Sequence, residues 1–185
     1  FISFEQLRSI IHSRASIRKR ARDFFTVIIE ANPKIALKKK FYPNANIFLN
    51  LALTGDEHSP VSIAKLYISN KGELSEGNSL FIKKDNPKAG RHIATFGVST
   101  RDFFRELALY LDDQFKDYEV LLRLNCEGVE DDVIYSTFSS FGNKLKLICG
   151  SLKDVEELKG LEASQKLDDF INDNNLVFKT FNSGI

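Results

Sequence analysis

From residue 92 onward the chain alternates between two periodicities, and this alternation limits the fold more than any other feature of the sequence. Short apolar runs stand at 92–98, 118–124, 144–149 and 176–181. Between them lie stretches with apolar residues at helical spacing. Phe103, Phe104, Leu107, Tyr110, Leu111 and Phe115 form one such set, and Val133, Ile134, Phe138 and Phe141 form the next. Strands separated by helices are not joined by tight hairpins, so the pattern predicts consecutive parallel crossovers of right hand. Local signals agree. Ser99-Thr100-Arg101-Asp102 and Ser151-Leu152-Lys153-Asp154 have the form of capping boxes. Glu130, Asp131 and Asp132 favour a helix start through the macrodipole, Gly142 ends that helix, and Gly160 breaks the helical stretch that runs to about residue 174.

The first half reads differently. Ser3-Phe4-Glu5-Gln6 is a capping box that predicts a helix from about residue 4, with Phe4, Leu7, Ile10 and Ile11 on one face. Ile17, Ala21, Phe24, Phe25, Ile28 and Ile29 continue a helical pattern that Asn32-Pro33 ends. Strand patterns follow at 47–53, 62–69 and 79–84, with turn chemistry at Asn70-Lys71-Gly72 and Glu76-Gly77-Asn78, and a meander is the simplest connection. The expected fold is therefore α/β with a mixed sheet: an antiparallel meander in the first half, parallel βαβ crossovers in the second, helices on the faces and an N-terminal helical arm. Residues 1–185 are expected to form a single domain with the arm, 1–40, packed on it.

Composition narrows the function classes. The 185 residues are 43% hydrophobic and 28% charged, with 10 Gly and 4 Pro, which excludes a disordered or collagen-like chain. No apolar run reaches the roughly 18 residues of a membrane helix, so no membrane insertion is expected. There is no Met, even at position 1, which predicts a fragment of a longer protein with other regions of the parent chain as partners. Cys126 and Cys149 do not make a disulfide framework, and buried free thiols in a reducing compartment, intracellular and cytoplasmic by default, are the expectation.

The formal net charge of +1 hides a strong polarity. Residues 1–40 hold 10 basic and 3 acidic groups, a net +7, whereas residues 106–185 hold 8 basic and 16 acidic groups, a net −8. Arg14, Arg18 and Arg22 recur at i, i+4 and i+8 and form a helical stripe that Lys19 and Arg20 widen and Lys38, Lys39 and Lys40 extend. Such a stripe attracts polyanions, either nucleic acid or an acidic protein surface. The common signatures of serine hydrolases, zinc proteases, P-loop nucleotide binding and dithiol redox chemistry do not occur. Arg8 and His12 have three intervening residues where HEPN-type ribonucleases have four to six. The leading expectation is a non-catalytic binding module that engages an anionic partner through its basic N-terminal helix, with no cofactor and no metal.

Parallel sheets bind ligands beyond the carboxyl ends of their strands. Here those ends are Gly97 to Arg101, Asn125 to Gly128, Gly150-Ser151 and Asn182-Ser183, and they are expected to share one rim. Ser99, Thr100 and Arg101 combine two hydroxyls, a helix N-terminus and a guanidinium, which suits a phosphate-bearing cofactor. Glu127, Glu130, Asp131 and Asp132 form an acidic segment that suits a helix start or a divalent cation. The stretch from Gly97 to Gly142, with Val133-Ile134-Tyr135 and Phe141-Gly142, resembles the second half of GNAT acyltransferases. That family carries a Q/R-x-x-G-x-G/A loop for coenzyme A. This chain has Ser99-Thr100-Arg101-Asp102-Phe103-Phe104 there, without glycines. The resemblance implies, as the alternative function, a phosphate-cofactor-dependent transferase with a degenerate coenzyme A loop.

Overall fold

The structure is a computed structural model that describes residues 23–37, 45–55, 60–69, 72–74, 78–82 and 90–180. It is a mixed α/β fold, with three hydrogen-bonded sheets among the described residues. The first pairs β1 (Val27–Ile29) in parallel with β2 (Ile47–Leu49). The second has the order β3 (Ala52–Thr54), β5 (His92–Ser99), β4 (Val61–Tyr67), with β3 parallel and β4 antiparallel to the central β5. The third has the sequential order β6 (Val120–Arg123), β7 (Leu145–Gly150), β8 (Phe178–Thr180), all parallel. Among the described residues five α-helices connect these strands: α1 (Pro33–Ala36), α2 (Thr100–Gln114), α3 (Glu130–Phe141), α4 (Lys153–Lys159) and α5 (Leu161–Asp173).

The second half follows its sequence closely because its signals are local. Ser99 caps α2 by accepting a hydrogen bond from the Asp102 amide, three acidic residues open α3, and Gly142 ends it at φ 50°. Gly160, at φ 93°, separates α4 from α5 in a conformation that a side chain would strain. The amphipathic faces meet in one core. Phe104 and Leu111 of α2, Ile134 and Phe141 of α3, Ile148 of β7, Val155 of α4 and Leu167 of α5 are all buried in it. Full burial of a side chain such as Ile134 or Leu167 stabilises by roughly 2 kcal/mol. Rings lock the helices to each other, with Phe170 of α5 edge-on to Tyr135 and Phe138 of α3 at 4.7 and 5.5 Å between centroids.

Five sequence expectations are corrected. The helix expected to run to Asn32 gives way to β1, because Val27, Ile28 and Ile29 are β-branched and pair with Ile47, Phe48 and Leu49. Asn32-Pro33 then opens a helix instead of closing one: the Asn32 side chain accepts from the Lys34 amide and Pro33 occupies the first turn. The apolar run 47–53 is not one strand but two, β2 and β3, which pair with different sheets. Among the described residues of the run 79–84, which are 79–82, the pairing is a bridge from Ser79 to Tyr67. The largest correction concerns β5. It does not join β6, β7 and β8 as a fourth parallel strand but lies between β3 and β4, so the predicted rim does not belong to a single sheet. Residues 1–22 and 38–40 of the basic arm, with the capping box at Ser3, and the segment Asn182-Ser183 lie outside the described residues.

Candidate functional site

Although β5 and β6 lie in different sheets, their carboxyl ends are brought together. Thr100, at the start of α2, is fully buried and its Oγ1 donates to the Thr54 carbonyl at 2.6 Å, stapling the end of β3 to the end of β5. The next residue, Gly55, lies against α3, since a Cβ added there would sit 3.2 Å from Asp132 Oδ2. Ser79 Oγ donates to the Glu127 carbonyl at 2.6 Å and accepts from the Phe81 amide, so the segment beside β4 reaches the same place. The ends of β6 and β7 close the arrangement: a Cβ on Gly150 would come within 2.8 Å of Leu124 Cβ. Loops from both sheets thus converge on the N-terminus of α3.

The charged groups at this convergence are mutually engaged. Lys159, the last residue of α4, places Nζ 2.6 Å from Asp131 Oδ1 and 2.9 Å from Asp132 Oδ2, with its side chain only 21% exposed. Burial pulls its ammonium toward neutrality, but the hydrogen bonds to the two carboxylates outweigh that and hold its pKa above the usual lysine value. Glu130 is 1% exposed and accepts from the Gly128 amide at 2.8 Å. Burial pushes its carboxyl from the ordinary 4.5 up to about 8, against backbone hydrogen bonds and with help from the negative charge of Asp154 and Glu127. Cys126 beside it is a neutral thiol, its pKa raised well above the ordinary value by burial and then by Glu130 and other acidic neighbours. Cys149 is likewise raised by burial. Neither sulfur is the thiolate that nucleophilic chemistry requires.

The sequence-predicted cofactor segment sits at this rim with its hydroxyls in use. Ser99 Oγ caps α2 at 3.4 Å from the Asp102 amide, Thr100 Oγ1 is bound to Thr54, and Arg101 is exposed. We expect Thr100→Val to destabilise the fold by about 2 kcal/mol, since it leaves the buried Thr54 carbonyl without its donor. Urea unfolding measures this, and a change under about 0.5 kcal/mol would mean that the staple is dispensable. Arg14, Arg18, Lys19, Arg22, Lys38, Lys39 and Lys40, the predicted contacts of the anionic partner, lie outside the described residues. Among the described residues no group of acidic, His or Cys side chains could hold a metal ion, and no helix is long and apolar enough to cross a membrane.

One surface escaped the sequence reading. The outer face of β4 and β5 carries Val61, Ile63, Lys65 and Tyr67 directly opposite Val98, Phe96, Ala94 and His92. Val61, Ile63 and Phe96 are 64%, 67% and 62% exposed. The alternation of these residues with Ser62, Ala64 and Leu66 was a signal that one face differs from the other. It does not say which face is covered: Leu66 is buried and Ser62 and Ala64 are half-buried on the inner side, while the larger apolar Val61 and Ile63 stand outside.

No family model matches the chain, and no curated protein or solved structure matches it.

Proposed function

We propose that the protein is a binding module that engages an anionic partner through its basic N-terminal segment. The observation that carries this reading is the charge distribution: a net +7 in residues 1–40 in a chain whose total is +1. A local concentration of cations binds polyanions by releasing condensed counterions, whatever the net charge of the whole molecule. The engagement of the rim favours binding over chemistry. Lys159 is held by two carboxylates, both cysteines are neutral thiols, and the hydroxyls of Ser99 and Thr100 are taken up by the fold. Two free cysteines accord with an intracellular, reducing setting.

The test is charge reversal. The parent chain should bind a polyanion, oligonucleotide or polyglutamate, with an affinity that falls steeply as salt rises. Arg14→Glu, Arg18→Glu and Arg22→Glu together should weaken that binding at least about a hundred-fold at moderate salt. Binding that is indifferent to salt, or unchanged by the triple reversal, would overturn the reading. The transferase alternative rests on Arg101 at the start of α2. A thermal stabilisation by nucleotide or coenzyme A that vanishes in Arg101→Ala would move the assignment there.

A further inference from the structure

We infer that the anionic partner is a single-stranded nucleic acid and that its bases stack on the outer face of β4 and β5. This rests on the binding-module reading above and adds to it a second surface and a partner class. The face is built as alternating stations along two paired strands. Phe96 lies opposite Ile63 at one station, Ala94 opposite Lys65 at the next, and His92 opposite Tyr67 at the third. Strand geometry puts Phe96 and His92 about 13 Å apart on the same side. That length fits two or three stacked bases on a sheet surface.

The chemistry at each station suits a base or a phosphate. Phe96 presents most of its ring to solvent with the exposed Ile63 beside it, a flat apolar surface that any base can cover. At the far station the His92 and Tyr67 rings meet edge to face, 6.0 Å between centroids, and His92 Nδ1 is 3.1 Å from the Gly90 carbonyl, which fixes the imidazole in place. Between the two aromatic stations Lys65 is exposed and has no ion-pair partner among the described residues. Ala94 opposite it is small and opens onto a shallow concavity of about 300 Å³ that Pro33, Asn50, Ile63 and Phe96 also line. Arg91, one residue before His92, adds a second exposed cation, 3.7 Å from Glu73. Aromatic rings with a cation between them match the alternation of base and phosphate in a single strand. They do not match a duplex, whose base faces are stacked on each other.

The chain contains no tryptophan, so Phe96→Trp introduces a single fluorophore at the first of these stations. The probes are oligomers of thymidine and of uridine about 20 nucleotides long, a duplex of the same length, and polyglutamate, each titrated against the 185-residue chain. We expect single strands to bind more tightly than duplex and to quench the Trp emission. We expect Phe96→Ala to weaken single-strand binding about ten-fold, and Lys65→Glu to weaken it while lowering the salt slope by about one. Both variants should keep the parent's thermal midpoint, because both side chains stand on the solvent side of the sheet. Saturation by the oligonucleotide without quenching, together with parental affinity in Phe96→Ala, would overturn the inference. If the triple arginine variant then still loses binding, the wider reading stands. Binding of polyglutamate in preference to every oligonucleotide would also overturn the inference and make the partner an acidic protein. A parent that binds no polyanion would remove both.

Discussion

Glu130→Gln should melt about 10 °C above the parent near pH 8 and within a degree or two of it near pH 5. The reason is the place of the carboxyl. It is buried at the start of α3, accepts a hydrogen bond from the Gly128 amide, and has no cation beside it among the described residues. In the unfolded chain the group gives up its proton around 4.5, while in the fold it holds it up to about 8. Between these values the unfolded state is ionised and the folded state is not, so each rise in pH favours unfolding. The contribution is fully present below about 4.5 and is lost progressively as pH climbs through 8. Over that window the loss approaches about 4 kcal/mol, and Gln, which has the same shape and no proton to lose, does not suffer it. Thermal melts of both proteins across the window make the comparison. Parallel curves would show that Glu130 is ionised in the fold.

Lys159→Met should destabilise by about 3 kcal/mol at neutral pH, read as a fall in urea midpoint at constant slope. Here the change removes the ammonium that Asp131 and Asp132 share, with Asp131 buried and Asp132 lying beside Gly55. Breaking one side of a largely buried ion pair is worse than removing the whole group, because the partners keep their desolvation penalty. The triple variant Asp131→Asn, Asp132→Asn, Lys159→Met should therefore recover most of the stability that Lys159→Met loses, a coupling that single changes at separate sites do not show. A triple variant that is the sum of its parts would mean that the three charges do not act as a unit.

What was legible in the sequence divides by the range of the interaction. Ser99, Gly142 and Gly160 mark helix ends through bonds and dihedral angles of their own neighbours, and each was read correctly. Val27 to Ile29 could be fitted to a helical face as well as to a strand. What decides is the pairing with Ile47 to Leu49, twenty residues on, and the loss of one apolar face to a neighbouring strand has no local mark. The same holds for β5. Its strand character was plain, but whether it pairs with β6 or enters between β3 and β4 depends on partners about forty residues upstream. At the rim, the acidic residues 127–132 were visible as a run, while the cation that joins two of them comes from residue 159, on another helix. Charge alone could not connect them.

The order of strands in the second sheet has a consequence for how the protein is made. β3 and β4 flank β5 and are hydrogen-bonded to it, not to each other. A ribosome delivers the two outer strands first and the central one last. Until His92–Ser99 emerges, apart from the bridge between Tyr67 and Ser79, the nascent chain carries two strands without the strand that pairs with both. The arrival of that one segment completes the ladder on both sides at once, and with it the surface that displays Phe96.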